Sequence, residues 1–237
     1  MVIFKLFRRS IFLSNFRLLT GFSSLLSTPI NRGNEARVLC KNQLISPAKY
    51  HWETRIDPYF RLLRRDDDLQ EIKYFTALIS GPRRAHQETF LRALATRPLI
   101  TVILGVFKQR NITCTYARCA PTTAGHRVFS KLEEKRTDVN IAVHMLDDAY
   151  QDRCDRQILV SGDSDLVPPI RVIRSRFPNI TVTVYVPARD PHRGAAVELR
   201  SAADKNRSLP LDLLPRAQFP RQVPDGAGGL IEKPDSW

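Results

Sequence analysis

Two carboxylates one residue apart follow directly on an apolar run in the last third of the chain. The run Ile-Leu-Val at 158–160 ends in Ser-Gly-Asp-Ser-Asp, so that Asp163 and Asp165 come at the end of a predicted buried strand. Carboxylates clustered in such a place repel each other unless a cation lies among them, and hard cations prefer oxygen ligands. The pattern therefore indicates either a metal site or a simple cap of the helix that follows.

A third acid and a histidine stand on the predicted helix upstream. Asp138 lies at the start of this helix, behind Glu133 and Glu134, and His144 lies further along it. An imidazole beside carboxylates would favour a softer transition metal such as iron, nickel or zinc. The alternative is that His144 is an ordinary histidine of the helix surface or the core.

Alternating strands and helices must position these residues. The sequence predicts strands in QEIKYFTALIS, LITVILGVF, RQILVSG and ITVTVYVP. It predicts helices in DPYFRLLRR, RRAHQETFLRALATRP, TDVNIAVHMLDDAY, DLVPPIRVIRSRF and AAVELRSAADKN, and a polar loop or small insertion in NITCTYARCAPTTAGHRVFS. Apolar strands between helices predict an α/β fold, a doubly wound and mainly parallel sheet with helices on both faces. Ligands of such sheets bind beyond the carboxyl ends of the strands.

Composition divides the chain into three parts. Residues 1–50 form a divergent segment with one acidic residue, Glu35, and we expect it to contribute at most one strand, at residues 2–7. Residues 51–215 form the α/β domain, and residues 216–237 an irregular, Pro- and Gly-rich tail. The first 30 residues are basic and Ser-rich, which is typical of a transit peptide or of a divergent N-terminus, and we favour the latter.

The overall charge favours anionic partners. The 237 residues carry a net charge of +13, which suits nucleic acid, acidic lipid or a small anionic substrate, although an Arg-rich surface alone could account for it. No segment reaches the roughly 18 uncharged apolar residues of a membrane helix. Four cysteines imply no disulfide framework, so we expect the cytoplasm. Cys114 and Cys119, with His126 further on, are either half of a zinc site or free thiols in a loop.

Several motifs in the right order resemble a known family. EEKRTDVNIAV, ILVSGDSDLVPPI and LIEKPDSW, preceded by IKYFTALISGP and FLRALATRP, resemble the NYN domain of the PIN-like nucleases. The resemblance implies a metal-dependent ribonuclease, in which Asp138, Asp163 and Asp165 are catalytic and hold Mg²⁺ or Mn²⁺. If that site is degraded, it implies an RNA-binding module.

Two positions depart from the family pattern. The family begins with a strand that ends in an acid, whereas MVIFKLFRRS has Lys5 and Leu6 there, and residues 1–50 contain no Asp. His144 occupies a helix position where many relatives have Asp. With this imidazole added, the predicted metal ligands are Asp138, Asp163, Asp165 and His144.

The chain as a whole also resembles bacterial monooxygenases of nicotine degradation. These use NADH and O₂ to convert 6-hydroxy-3-succinoylpyridine into 2,5-dihydroxypyridine and succinate semialdehyde. The resemblance implies an anionic pyridine substrate, with NADH and a flavin or Fe(II) as cofactors. The sequence lacks a GxGxxG fingerprint, since the GAGG at 226–229 lies in the tail. We predict the NADH-dependent monooxygenase, with the metal-dependent ribonuclease, acting on RNA, as the alternative.

Overall fold

Six strands that all run in the same direction form the central sheet. The computed structural model describes residues 35–41, 55–114, 128–187, 197–210 and 212–235. The strands within them are β1 (Glu35–Lys41), β2 (Asp68–Thr76), β3 (Ile100–Leu104), β4 (Val106–Thr113), β5 (Val128–Lys135), β6 (Arg156–Val160), β7 (Thr181–Val186), β8 (Lys205–Ser208), β9 (Gln222–Pro224) and β10 (Leu230–Glu232). The helices are α1 (Ile56–Leu63), α2 (Arg84–Ala95), α3 (Thr137–Tyr150), α4 (Val167–Arg176) and α5 (Val197–Ala202).

The strand order makes this a doubly wound sheet. It reads β3-β2-β1-β6-β7-β8, and each neighbouring pair is parallel. From the central strand β1 the chain winds outward to β3, then returns to β6 and winds outward to β8. The predicted α/β fold class is therefore confirmed. The switch in winding direction lies between β1 and β6, and this is where such sheets form a crevice at their carboxyl edge.

Apolar side chains cover both faces of the sheet. One core lies under α1, α2 and the C-terminal strands, and it includes Val38, Ile72 and Ile158. The other lies under α3, α4 and α5, and it includes Leu39 and Leu159. Successive side chains of a strand point to opposite faces, so neighbours such as Val38 and Leu39 enter different cores. This two-sided burial is why the central strands read as continuous apolar runs.

The first strand of the sheet is not where the sequence placed it. The expected strand at residues 2–7 lies outside the described residues, whereas Glu35–Lys41 forms the central strand β1. Its sequence, EARVLCK, is short and flanked by polar residues, and its pairing with β2 and β6 on either side stabilises it more than its own propensity does. Lys41, rather than Lys5 or Leu6, therefore stands at the end of the strand where the family has an acid.

The predicted strand LITVILGVF is in fact two strands. Gly105 separates β3, an edge strand of the sheet, from β4, which pairs with β5 as a separate antiparallel hairpin. Only the two ends of the predicted loop at 111–130, residues 111–113 and 128–130, belong to β4 and β5. Residues 115–127, with Cys119 and His126, lie outside the described residues. The zinc prediction stays a prediction. Cys40 and Cys154 are buried free thiols.

Two further boundaries differ from expectation. The residues after α5 form the edge strand β8, although the sequence there reads as a continuing helix. The predicted irregular tail contains the antiparallel pair β9–β10, whose Val223 and Ile231 are buried against the first core. Both are cases in which pairing partners, which a local pattern does not contain, decide the structure. In the described part of the chain no helix is long and apolar enough to span a membrane.

Gly105 is expected to tolerate no side chain. A Cβ there would lie 2.5 Å from Thr137 Oγ1 and 2.8 Å from the backbone oxygen of Lys135. The backbone oxygen cannot rotate away, so Gly105→Ala should lower the free energy of unfolding by about 1–3 kcal/mol, as overpacking typically does. Gly162→Ala is the control, because its nearest contact would be an ordinary 3.9 Å. Urea unfolding measures both, and equal stabilities would contradict the prediction.

Candidate functional site at the carboxyl edge of the sheet

Lys41 ends the central strand and lies between two carboxylates. Its Nζ donates to Asp138 Oδ1 at 2.5 Å and to Asp163 Oδ2 at 3.0 Å. The lysine side chain is 8% exposed, whereas the two carboxylates are 34% and 35% exposed. The ammonium is thus the buried member of the group, and water reaches the outer side of both acids.

The fold brings these three residues together from distant parts of the sequence. Lys41 ends β1, Asp163 follows the end of β6, and Asp138 lies in the first turn of α3, which packs across β1 and β2. Because β1 and β6 flank the switch point of the sheet, their carboxyl ends open into the same crevice. The sequence correctly places Asp138 and Asp163 at one edge, although it does not include Lys41 among the site residues.

Asp163 is both a cap and a member of the ion-pair group. Its Oδ1 accepts the backbone N–H of Asp165 at 3.1 Å and so caps the short 3₁₀ turn Ser164–Leu166 that opens α4. Its other oxygen accepts from Lys41. Burial raises the pKa of Asp163, but the Asp165 N–H and the Lys41 ammonium together outweigh it, and the net pKa is lowered. Of the two alternatives drawn from the sequence, a metal site or a cap, the structure shows the cap, and it adds an ion pair with Lys41.

Lys41 carries a fixed positive charge. Burial by itself would lower the pKa of Lys41, but the hydrogen bonds and charges of Asp138 and Asp163 outweigh burial and raise it above its ordinary value. The amine therefore stays protonated at neutral pH. A protonated amine has no lone pair with which to act as a nucleophile or a base, so its contribution is electrostatic.

The described residues do not fit the hard metal ion that the sequence predicts. A divalent cation needs several oxygen ligands around it, and here an ammonium group donates to the two best-placed carboxylates. Asp165 is exposed beside them. Among the residues that the structure describes, no three side chains of His, Cys, Asp or Glu are placed to hold one ion. The structure brings Asp138 and Asp163 together, but around a lysine.

His144 belongs to a different environment. It lies six residues after Asp138 on α3, about 9 Å further along the helix axis, and its ring packs against that of Phe75 with the centroids 5.7 Å apart. Burial and the nearby Lys73 lower the pKa of His144, against the opposite influence of Asp148, Asp147 and Glu71. His144 is thus a partly buried aromatic contact of the helix, which is the simpler of the two interpretations.

A buried ionic cluster, which the sequence does not indicate, lies at the other end of α3. Asp148 is fully buried, and its carboxylate accepts from Lys73 Nζ at 2.7 and 2.6 Å, from Arg37 at 3.1 Å and from Arg153 at 3.0 Å. Glu71 completes the cluster by pairing with Arg37. With Asp147, which pairs with Arg153, the cluster has three cations and three carboxylates, so its charges balance and we interpret it as structural.

The fold and the acidic crevice define a class, the doubly wound PIN-like domains. The NYN domain family matches residues 43–210, and the chain belongs to this family. The match begins two residues after Lys41, so the end of β1, where the family carries its first acid, lies outside the matched range.

One curated relative has a named activity. The 6-hydroxy-3-succinoylpyridine 3-monooxygenase HspA of Pseudomonas putida is 31% identical over 181 residues, covering 70% of this chain. The match covers 57% of the relative, so the chain spans little more than half of its length. Both resemblances drawn from the sequence, to the NYN domain and to such monooxygenases, are therefore confirmed.

A solved structure is also similar. A protein of unknown function from Vibrio parahaemolyticus matches with 19% identity and a TM-score of 0.49, covering 77% of this chain and 97% of that one.

Proposed function

We propose that the chain is a monooxygenase of the kind named for its Pseudomonas relative, acting on 6-hydroxy-3-succinoylpyridine or a similar hydroxypyridine carboxylate. The observation that carries the proposal is the 31% identity over 181 residues, most of the described domain. Because the match spans 57% of the relative, its substrate and its reductant come to this chain as part of the proposal.

The position of Lys41 supports this reaction over RNA hydrolysis. A metal-dependent ribonuclease uses its ion to lower the pKa of the attacking water and to stabilise the charge on the phosphorane oxygens. An ammonium group held by two carboxylates cannot coordinate a water molecule and lower its pKa as a metal ion does. Because Lys41 already engages Asp138 and Asp163, these acids are poorly placed to hold such an ion, and this favours the monooxygenase.

The stoichiometry of the proposed reaction determines how much O₂ and how many electrons it requires. The bond between the pyridine ring and the acyl carbon breaks, and a C–O bond forms at that ring carbon with one atom of O₂. The acyl carbon takes up hydrogen to give succinate semialdehyde, and the second oxygen atom leaves as water. The balance requires four electrons, hence two NADH for each product. A flavin or Fe(II), when bound, would supply the one-electron chemistry that side chains lack.

The described residues do not form a dinucleotide cradle. The turn between β6 and α4, on the other side of the switch point from β1, carries Asp163 and Asp165. These carboxylates repel phosphate, and the turn lacks the repeated glycines that allow close approach. The NADH site is therefore not assigned to this turn.

Cations beside the acidic crevice can attract an anionic substrate. Arg136 lies two residues before Asp138, in a left-handed conformation with φ of 74°, and is exposed. Its side chain makes no hydrogen bond or ion pair within the described part of the chain, while Lys131 and Arg110 lie on the adjoining β4–β5 hairpin. A carboxylate that approaches this edge meets a free guanidinium there, which is suited to bidentate pairing.

Arg136→Gln is expected to raise KM for the hydroxypyridine carboxylate about tenfold with little change in kcat, since a charge-assisted hydrogen bond contributes about 1.5 kcal/mol or more. The control is Arg171→Gln, on the exposed surface of α4, whose side chain is 67% exposed and lies towards the opposite edge. Steady-state kinetics measure both variants. A shift of the same size in the control would show that only overall charge matters.

The proposal is tested by assaying purified protein, after metal and flavin analysis, on two substrates side by side. With 6-hydroxy-3-succinoylpyridine, NADH and O₂, we expect two NADH oxidised for each 2,5-dihydroxypyridine formed. With single-stranded RNA and Mg²⁺ or Mn²⁺, we expect no cleavage. Cleavage of RNA without any hydroxylation would overturn the proposal in favour of the ribonuclease.

A second candidate function, RNA binding without cleavage, is favoured by a basic cavity at the amino edge. The cavity is about 630 Å³ and is lined by Arg171, Arg174 and Lys205 among others. The acid in its lining, Asp204, is already engaged by Arg174 at 2.6 Å and by the Val182 N–H at 2.8 Å. Arg171 lies 3.8 Å from the exposed Glu198, so Lys205, which has no ion pair among the described residues, supplies most of the positive charge that suits a phosphate backbone.

Fluorescence anisotropy with labelled single-stranded RNA tests this candidate. We expect affinity that falls steeply with salt and that weakens in a variant carrying both Arg171→Gln and Lys205→Gln. Affinity unchanged by the double substitution would exclude the cavity as the RNA site.

A further inference from the structure

We propose that Lys41 is a tethered cation that takes the place of a divalent metal ion in this chain, so that the site at the carboxyl edge excludes hard cations. The inference rests on the geometry around Lys41 and not on the identity of the substrate. The proposed monooxygenase can therefore fail while this inference holds, and the reverse is also true.

The ammonium occupies the place that a bridging ion would need. It contacts one oxygen of Asp138 and one of Asp163, which belong to different elements and meet only at this point. A free ion must lose hydration water and compete from solution, whereas a side chain on the adjacent strand is always at a high effective concentration. A divalent cation entering here would also face the positive charge of Lys41 at close range.

The backbone holds Lys41 in this position through β1. Arg37, Leu39 and Lys41 point to the same face, because they are two residues apart on a strand. Arg37 pairs with Asp148 near the end of α3, and Lys41 pairs with Asp138 near its start. Four strand residues span about 13 Å and ten helical residues about 15 Å. The spacing of the two ion pairs along β1 is therefore close to their spacing along α3, and together they hold α3 against β1.

The substitution Lys41→Asp tests the inference, because it adds a third carboxylate and removes the tethered charge. Binding of Mn²⁺ is followed by isothermal titration calorimetry and by the melting temperature at pH 7. The wild type should show no saturable binding at this site and no change in melting temperature. The variant should bind Mn²⁺ at least tenfold more tightly than the wild type and melt several degrees higher with Mn²⁺ than without.

A matched control shows where the ion binds. In a variant with Lys41→Asp and Asp163→Asn, one of the three carboxylates is lost and most of the gain in Mn²⁺ affinity should disappear. If Lys41→Asp folds poorly without metal, Lys41→Asn keeps both natural acids, removes the ammonium and avoids the added charge. It should also bind Mn²⁺ more tightly than the wild type.

Two results would overturn the inference. Wild-type protein that binds Mn²⁺ as tightly as the Lys41 variants, with the binding lost on Asp163→Asn alone, would show that the lysine does not exclude the ion. Folded Lys41→Asp and Lys41→Asn proteins that gain no Mn²⁺ affinity would show that the acids do not form a cation site even when the lysine is absent.

Discussion

The Asp148→Ala variant is expected to lose about 3–5 kcal/mol of unfolding free energy, the typical cost of leaving a buried charge without its partner. Asp148 is fully buried, and Lys73, which donates to both of its oxygens, is 4% exposed. Removing the carboxylate leaves the Lys73 ammonium with Glu71, at 3.6 Å, as its remaining ion pair among the described residues. Urea unfolding followed by circular dichroism measures the loss.

The neighbouring acid supplies the control. Asp147 also pairs with Arg153, at 3.0 Å, but its side chain is 43% exposed. Asp147→Ala should therefore cost less than about 1 kcal/mol, as exposed ion pairs do. A double variant with Lys73→Met and Asp148→Leu should recover much of the loss, because it removes both buried charges together. Similar losses in Asp147→Ala and Asp148→Ala would contradict the structural role of the cluster.

The Lys41→Met variant is expected to lose about 2–4 kcal/mol at pH 7, somewhat less than a fully buried pair because water reaches the two carboxylates. The variant retains two acids that face each other without a cation. Their mutual repulsion should raise the pKa of Asp163, which the Lys41 ammonium and the Asp165 N–H now lower. Lys131→Met, on the exposed hairpin surface, is the control with the same chemical change.

The loss in Lys41→Met should depend on pH with a definite sign. Asp163 has a lowered pKa in the folded protein, so the stability it contributes is present above the unfolded aspartate value near 3.9 and is lost as the pH falls through the folded value. Lys41 has a raised pKa, so its contribution is complete below the unfolded lysine value near 10.4 and is lost as the pH rises through the folded value.

The difference in stability between wild type and Lys41→Met should therefore be largest between about pH 5 and 9 and shrink below pH 4. Urea unfolding at pH 3.5, 7 and 9 measures this difference. A difference that stays constant over this range would mean that Lys41 stabilises the protein by packing of its alkyl chain rather than by its charge.

The sequence alone determined the fold class of this protein. The continuous apolar run at 158–160 predicts a strand that is buried on both faces. The periodicity of residues 137–150 and the acid at their start predict a helix. These are local properties, readable within ten residues. The order of such elements was enough to place Asp138 and Asp163 at the carboxyl edge of one parallel sheet, and the structure confirms that they meet there.

The elements that the sequence did not predict are those defined by pairing. β1 is a seven-residue strand in a segment of weak periodicity, and its central position follows from β2 and β6 on either side. β8, with 4 residues, and β9 and β10, with 3 residues each, are shorter still. Strands of this length gain most of their stability from partners that are remote in sequence.

Only the tertiary structure decided what occupies the acidic crevice. Lys41 is 97 residues from Asp138 and 122 from Asp163, and its part in the site depends on which strand lies beside β6. Asp148 likewise reads as one more polar residue of a helix, although it is buried among cations from β1, β2 and the end of α3. The type of a charged residue is local information. The partner that compensates its charge is not, because burial and ion pairing arise only when distant segments pack together.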